Sequence, residues 1–252
     1  VTTRHNLHSK FVVKCLTKDK NVFVEKPLCL NFEELDQIVS AYKGNKSLTV
    51  GYNRRFSPHS KAIKKYLMNS EEPVSIIINV NAGFIPSDSW VHDINIGGGR
   101  IVGEACHFID LCSYLSGSKI ESVYMDYLGT DYKKNTDSVV ISLKFKNGSI
   151  ASINYFSTGS SKYSKERVEV YSKGRTWIID DFIRTYGYDV KGFSSLKTKQ
   201  DKGHQNQFNS LINQINSGSN SIIPFDEIIN VSKAAICSLE SIKNNNPINL
   251  AD

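Results

Sequence analysis

Near residue 70 the hydrophobic pattern of this 252-residue chain changes period, which limits it to folds that join strand–helix units to a turn-rich sheet. Before that point, Asn21-Val22-Phe23-Val24 and the run Ser47 to Tyr52 read as short strands. Leu7, Phe11, Val12 and Cys15, and later Phe32, Leu35, Ile38, Val39 and Tyr42, recur at helical spacing. Asn31 followed by Glu34 reads as a capping box, and Ser57-Pro58 as the cap and first position of another helix. Beyond residue 70 the runs Val74 to Asn81, Ser122 to Leu128, Ser138 to Phe145, Ile150 to Phe156, Arg167 to Ser172 and Thr176 to Ile179 are β-rich. Asn147-Gly148 marks a hairpin between two of them. Short turns between strands imply mostly antiparallel pairing with one face packed on helices. The expected fold class is α/β plus α+β: an α/β unit over residues 1–56, then an α+β domain over 57–252 with a large, mostly antiparallel sheet packed on helices. Gln205 to Ser217, with Phe208, Leu211, Ile212 and Ile215 in register, and Asp226 to Ile242 are expected to be packing helices.

The run Val139-Val140-Ile141-Ser142-Leu143 is apolar on alternate and adjacent positions alike, so the open face of the sheet is expected to bury against a second copy, giving a homodimer or higher homo-oligomer. A hydrophobic content of 40% in 252 residues suffices for a sizeable core. No apolar run reaches the roughly 18 residues a membrane span needs, and no signal segment is present, so a cytoplasmic location is expected. Five cysteines, Cys15, Cys29, Cys106, Cys112 and Cys237, are odd in number. They lack paired metal-ligand spacing, so they read as reduced core residues and no metal site is expected. The net charge of +6 suits an anionic substrate or a solvated surface. No basic stripe interleaved with aromatics points to nucleic acid.

Chemistry-bearing residues cluster at turns. Glu25-Lys26-Pro27 closes the first strand and puts a lysine at a strand's carboxyl end, where open α/β sheets bind ligands. Gly97-Gly98-Gly99 allows close backbone approach, and the following helix sets Gly103, His107, Asp110 and Tyr114 along one stripe. A histidine on the polar stripe of an otherwise apolar helix is either a satisfied structural residue or a general base. Trp90 and Arg100 flank the glycine turn; they could stack on a sugar ring and pair with an anionic group, or belong to an interface.

Thr2-Thr3 followed by His8, then Glu25-Lys26-Pro27, then Gly51-Tyr52-Asn53-Arg54-Arg55-Phe56-Ser57-Pro58 resembles the glucose–fructose oxidoreductase and inositol dehydrogenase family (Gfo/Idh/MocA) in order and spacing. Gly97 to Gly99, His107, Asp110 and Lys202-Gly203-His204 extend the resemblance over nearly the whole chain. Within the family, Asn81 to Pro86 and Gly103 to Phe108 look like a bi-domain branch found in bacterial polysaccharide synthesis. The resemblance implies NAD or NADP as cofactor and a sugar or nucleotide-sugar hydroxyl as substrate. Lys26 and His107 would flank the nicotinamide and handle the hydroxyl proton, and Thr2, Thr3, His8, Glu25, Lys26, Pro27, Asn53 and Arg54 would be the cofactor-side residues. Trp90 and Arg100 are the candidate substrate contacts.

Two departures matter. The family's pattern has an aspartate four residues before the histidine, and that position is Gly103; Glu104 beside it is a candidate to supply the carboxylate if the helix is locally distorted. No G-x-G-x-x-G occurs in the chain, so residues 1–56 are expected to be the C-terminal remnant of a Rossmann domain and the isolated chain to be inactive. A non-catalytic oligomerisation or substrate-holding module is the alternative.

Overall fold

The computed structural model describes residues 1–68, 72–132, 137–218 and 221–250. A 3-10 turn, His5–Leu7, runs into α1 (His8–Leu16), followed by β1 (Val22–Val24), α2 (Phe32–Ala41) and β2 (Leu48–Val50). β1 and β2 pair in parallel, with Val22 opposite Leu48, the pairing that a helical crossover permits. Val1 lies alongside β1: its amino group donates to the Phe23 carbonyl at 2.7 Å, and the Glu25 N–H donates to the Val1 carbonyl at 2.9 Å.

The α1 face differs from the expected Leu7, Phe11, Val12, Cys15 stripe: the buried residues are His8, Ser9, Val12 and Leu16. Leu7 falls in the tighter 3-10 turn, which shifts the phase of the helix after it. Hydrogen bonds then fix His8 and Ser9 inward, His8 to the Pro27 and Thr3 carbonyls and Ser9 to the Glu34 carbonyl. At α2 the expected cap forms, Asn31 Oδ1 accepting from the Glu34 N–H at 2.9 Å. The reciprocal bond is displaced by one residue, Glu34 Oε2 accepting from the Leu30 N–H at 2.8 Å. After the 3-10 turn Asn53–Phe56, α3 (Pro58–Leu67) begins at Ser57, whose Oγ accepts from the His59 N–H.

Among the described residues the remainder is built on nine strands: β3 (Ser75–Asn81), β4 (Ile120–Tyr127), β5 (Val139–Phe145), β6 (Ile150–Phe156), β7 (Glu166–Ser172), β8 (Arg175–Asp180), β9 (Arg184–Tyr188), β10 (Ser195–Lys197) and β11 (Ile248–Asn249). Their order is β10-β9-β8-β7-β3-β6-β5-β4-β11, antiparallel except where β3 runs parallel to β6. The Asn147-Gly148 hairpin joins β5 to β6 as expected, with Gly148 at φ +83°. Between β3 and β4 a π turn, Ile101–Ala105, leads into α4 (Cys106–Ser116). α5 (His204–Ser217) and α6 (Phe225–Asn244) come after β10.

Alternation along the strands sends Ile76, Ile78, Val80, Ile141, Leu143, Val168, Val170 and Trp177 under the helices. Each fully buried aliphatic side chain contributes about 1.5–3 kcal/mol. α6 packs on β4, α4 and α2, so one apolar cluster runs from Val12 to Leu250. The outer sheet face is less apolar than expected: beside Val140 stand the exposed Ser142 and Lys144. The neighbouring strands add an Asn154 to Asn79 hydrogen bond of 2.7 Å. α5 also departs from expectation, burying Gln207, Leu211 and Gln214 while Phe208, Ile212 and Ile215 are exposed. Gln207 Nε2 donates to the Val50 carbonyl at 2.8 Å, a buried acceptor that an apolar side chain could not satisfy.

All five cysteines are free thiols. Among the described residues no helix is long and apolar enough to cross a membrane, and no group of three or more His, Cys, Asp or Glu side chains could hold a metal ion.

Candidate active site

β1 ends at Val24, and the next residues turn across the end of β2 through a cis Lys26–Pro27 peptide. Gly51, just past β2, makes room for this turn: a Cβ there would stand 2.8 Å from Glu25 Oε2. Lys26 Nζ donates to the Gly103 carbonyl at 2.8 Å, joining the strand end to the π turn. His8 sits behind the same turn, its Nδ1 2.7 Å from the Pro27 carbonyl and its Nε2 3.1 Å from the Thr3 carbonyl. It therefore ties the Thr2-Thr3 segment, which is exposed, to Glu-Lys-Pro.

Opposite Lys26, the glycine turn enters α4. Gly98 and Gly99 have φ of +72° and +75°. Gly97 has no room for a side chain, since a Cβ would lie 2.5 Å from the Val91 carbonyl oxygen. The π turn is the local distortion considered for Glu104, but it does not bring that carboxylate to Lys26 or His107. Glu104 faces the sheet, where its Oε2 accepts from Tyr155 at 2.5 Å and Arg100 at 3.0 Å, with Lys165 3.6 Å from Oε1. Burial alone would raise its pKa, yet Tyr155 and Arg100 hold it below the usual carboxylate range. Lys26 is paired instead with a backbone carbonyl.

His107 is 7% exposed, and its Nδ1 is buried without a hydrogen-bond partner. Burial, reinforced by the charges of Arg54, Lys26, His204 and Lys202, pushes its pKa well below that of an ordinary histidine. The ring is therefore neutral at neutral pH and can accept a proton. Asp110, one turn further along α4, is a brace: it takes Arg55 in two bonds of 2.6 and 3.0 Å, and Arg55 also reaches Glu227 at 3.0 Å.

Other expected site residues divide similarly. Arg54 donates twice to Glu166 at 2.8 Å, Lys202 adds a third bond at 2.8 Å, and Asn53 Nδ2 donates to the Lys202 carbonyl at 2.7 Å. Asn53 and Arg54 are thus both buried, and the Arg54 charge acts on His107. Arg100, 1% exposed, donates to the Gly83 and Ala82 carbonyls and to Glu104, so it is buried rather than open to a ligand. Trp90 does face open space: with Arg4, Asp88, His92 and Asp93 it lines a shallow cleft of about 820 Å³, with the Arg4 guanidinium 5.4 Å from its ring centre. His5, which sequence reasoning passed over, packs edge-on against Trp90 at 4.8 Å and bonds to the Gly97 carbonyl. Its signal was its place three residues before His8, on the same face of a tight turn.

Comparison with known proteins bears on both halves. A family model described as "Oxidoreductase family, NAD-binding Rossmann fold" matches residues 1–52, and the GFO/IDH/MocA C-terminal domain model matches residues 72–176. A myo-inositol 2-dehydrogenase of Thermotoga maritima is 29% identical over 191 residues, covering 73% of this chain and 56% of that protein. The uncharacterized oxidoreductase YrbE of Bacillus subtilis is 26% identical over 238 residues, 92% of this chain and 67% of its own length. The chain thus spans little more than half of the Thermotoga protein. A levoglucosan dehydrogenase structure, in complex with NADH and levoglucosan, superposes with a TM-score of 0.84 at 18% identity, over 99% of this chain and 79% of that one, a likeness of fold. With one family matching both the segment that carries Lys26 and the sheet domain that carries His107, the chain belongs to the Gfo/Idh/MocA oxidoreductases.

Proposed function

We propose that this chain is the greater part of a nicotinamide-dependent dehydrogenase that oxidises, or in reverse forms, a secondary hydroxyl on a sugar or cyclic polyol. One observation carries the reading: Lys26 is bonded to the carbonyl one turn before His107, and its charge is among those that keep that ring neutral. NAD or NADP, when bound, supplies the hydride acceptor. His107 takes the hydroxyl proton, and the Lys26 ammonium stabilises the charge that develops on the oxygen. Thr2, Thr3, Glu25, Lys26 and Pro27 gather at the end of β1, His8 tying the Thr3 and Pro27 carbonyls and Lys26 reaching the carbonyl one turn before His107, which fits the nicotinamide end of a dinucleotide at a strand's carboxyl edge. His8, Asn53 and Arg54, bound internally, would support that edge.

The substrate class is supported by relatives named for myo-inositol and levoglucosan. The likeness of Asn81 to Pro86 and Gly103 to Phe108 to a polysaccharide-synthesis branch narrows it to a nucleotide sugar handled in the cytoplasm, a substrate whose charge the net +6 would suit. Trp90 would stack on the sugar. The outer sheet face would be the contact between copies.

Lys26→Ala and His107→Ala in the whole protein are expected to lower kcat about 10²–10⁴-fold, the usual worth of a general acid–base group, with little change in NAD affinity. Lys26→Arg is not expected to rescue, because a planar guanidinium cannot take the place of the compact ammonium bonded to the Gly103 carbonyl. Stopped-assay turnover and calorimetric NAD titration read these outcomes. Near-normal turnover in either alanine variant overturns the assignment. Turnover absent from the wild type with any polyol, its self-association intact, leaves a non-catalytic holding module.

A further inference from the structure

His5 lies outside the Lys26–His107 pair, yet it touches the turn whose carbonyl holds Lys26. Its Nδ1 is 2.8 Å from the Gly97 carbonyl, and a carbonyl only accepts, so Nδ1 carries the proton. Gly97 cannot yield, being packed on the Val91 backbone. A second tie, from the Asn6 N–H to the Ile96 carbonyl at 3.1 Å, holds the same turn. The same edge of the ring covers Gly103: a Cβ there would stand 3.0 Å from His5 Cε1 and 3.2 Å from both His5 Nδ1 and the Gly97 carbonyl oxygen, so the imidazole and the carbonyl it holds together crowd the space of a side chain at position 103. The Gly103 carbonyl is the acceptor for Lys26 Nζ. Burial takes the His5 pKa down to about 4, so the ring packs there uncharged at neutral pH.

We propose that His5 is a positioning residue: wedged between the Gly97 carbonyl and the α-carbon of Gly103, it fixes the π-turn carbonyl that aims the Lys26 ammonium. The role rests on the dehydrogenase reading for its catalytic consequence, but the packing is testable without it. A glycine at 103 and a histidine at 5 are then one device, since a methyl at 103 would press on the ring and one of the two must give by a few tenths of an ångström.

The test is a two-by-two set, wild type, His5→Ala, Gly103→Ala and His5→Ala/Gly103→Ala, with His5→Asn as the conservative variant whose Nδ2 can keep the Gly97 bond. The first readout is the rate at which an acylating reagent modifies Lys26, followed by peptide mass spectrometry with thermal melting as a fold control. His5→Ala and Gly103→Ala are each expected to raise that rate several-fold. The double variant is expected to fall back toward wild type as the methyl refills the vacated space, and His5→Asn to stay near wild type. Coupling of this kind is what residues in contact show. The second readout is kcat against KM in the whole protein: a displaced Lys26 costs kcat about 10²-fold, with KM for NAD unchanged. Additive single effects, or a Lys26 rate indifferent to His5 in correctly folded variants, overturn the proposal. Coupled modification rates in a protein with no turnover would keep the wedge and sink only the dehydrogenase reading.

Discussion

Glu166 has no exposed surface, yet it is held as a carboxylate by three hydrogen bonds from Arg54 and Lys202. Burial works to raise its pKa; the two cations outweigh burial and hold it at about 2. An unfolded glutamate takes its proton near the ordinary value of 4.5, so between about 4.5 and 2 the unfolded chain binds more protons. The stability this site contributes is present above about pH 4.5 and is lost as pH falls toward 2. His5 and His107, buried neutral with depressed pKa values, act in the same direction from about pH 6.5 downward. Glu166→Gln is expected to cost about 3–5 kcal/mol at about pH 7, because it leaves Arg54 and Lys202 facing an uncharged group. It should also flatten the fall in stability below about pH 4.5. Urea unfolding midpoints measured from about pH 7 to about pH 3 in both proteins decide this; parallel pH curves would show that Glu166 is not the group responsible.

At the scale of elements, the turn between Gly97 and Ala105 does the most for the site. It carries the carbonyls that hold His5 and Lys26, and its π geometry sends Glu104 to Tyr155 on β6 rather than toward His107. Gly97→Ala is expected to cost about 1–3 kcal/mol, the range for forcing a methyl into packed surroundings. Backbone is what the new Cβ would strike, so no flexible side chain can move aside. Asn31→Ala, which removes only the α2 cap, should cost about 1 kcal/mol. Thermal melts of the two variants separate them: both lower Tm, but only Gly97→Ala should also speed Lys26 modification.

For the whole molecule, the proposed self-association rests on the outer face of the sheet. Ile77, Asn79, Ser152 and Asn154 on β3 and β6, with Val140 and Ser142 on β5, form an uncharged strip bounded by the Arg167–Glu169 pair on β7 and by Lys144 on β5. Tyr124, Ile150 and Ser152 line a hollow of about 490 Å³. Depletion of charge with aromatics nearby is the composition of an interface core. Self-association through this face is therefore expected, and Ser142→Glu, which puts a charge at its centre, should shift it toward monomer. Light scattering over a range of concentrations checks both, and a wild-type monomer throughout would rule the contact out.

What the sequence determined by itself is local. Strand and helix periods, the Asn31 and Ser57 caps, the Asn147-Gly148 hairpin and the positions of Lys26 and His107 at a strand end and on a helix after a glycine turn depend on residues within a few positions of one another. The motif resemblance over the same residues pointed to the family. Tertiary structure alone decided which polar groups meet. Arg54 finds Glu166 across 112 residues, Arg55 finds Asp110 across 55, and His5 finds Gly97 across 92. Arg54 and Asp110 lie buried in these pairs and Arg100 among the Ala82 and Gly83 carbonyls and Glu104, while on α5 Gln207 faces inward to the Val50 carbonyl and the apolar stripe faces out. The reason is physical: a side chain's period reports which face it takes, whereas a buried charge or carbonyl must find a partner wherever the chain returns, and only the folded path fixes where that is.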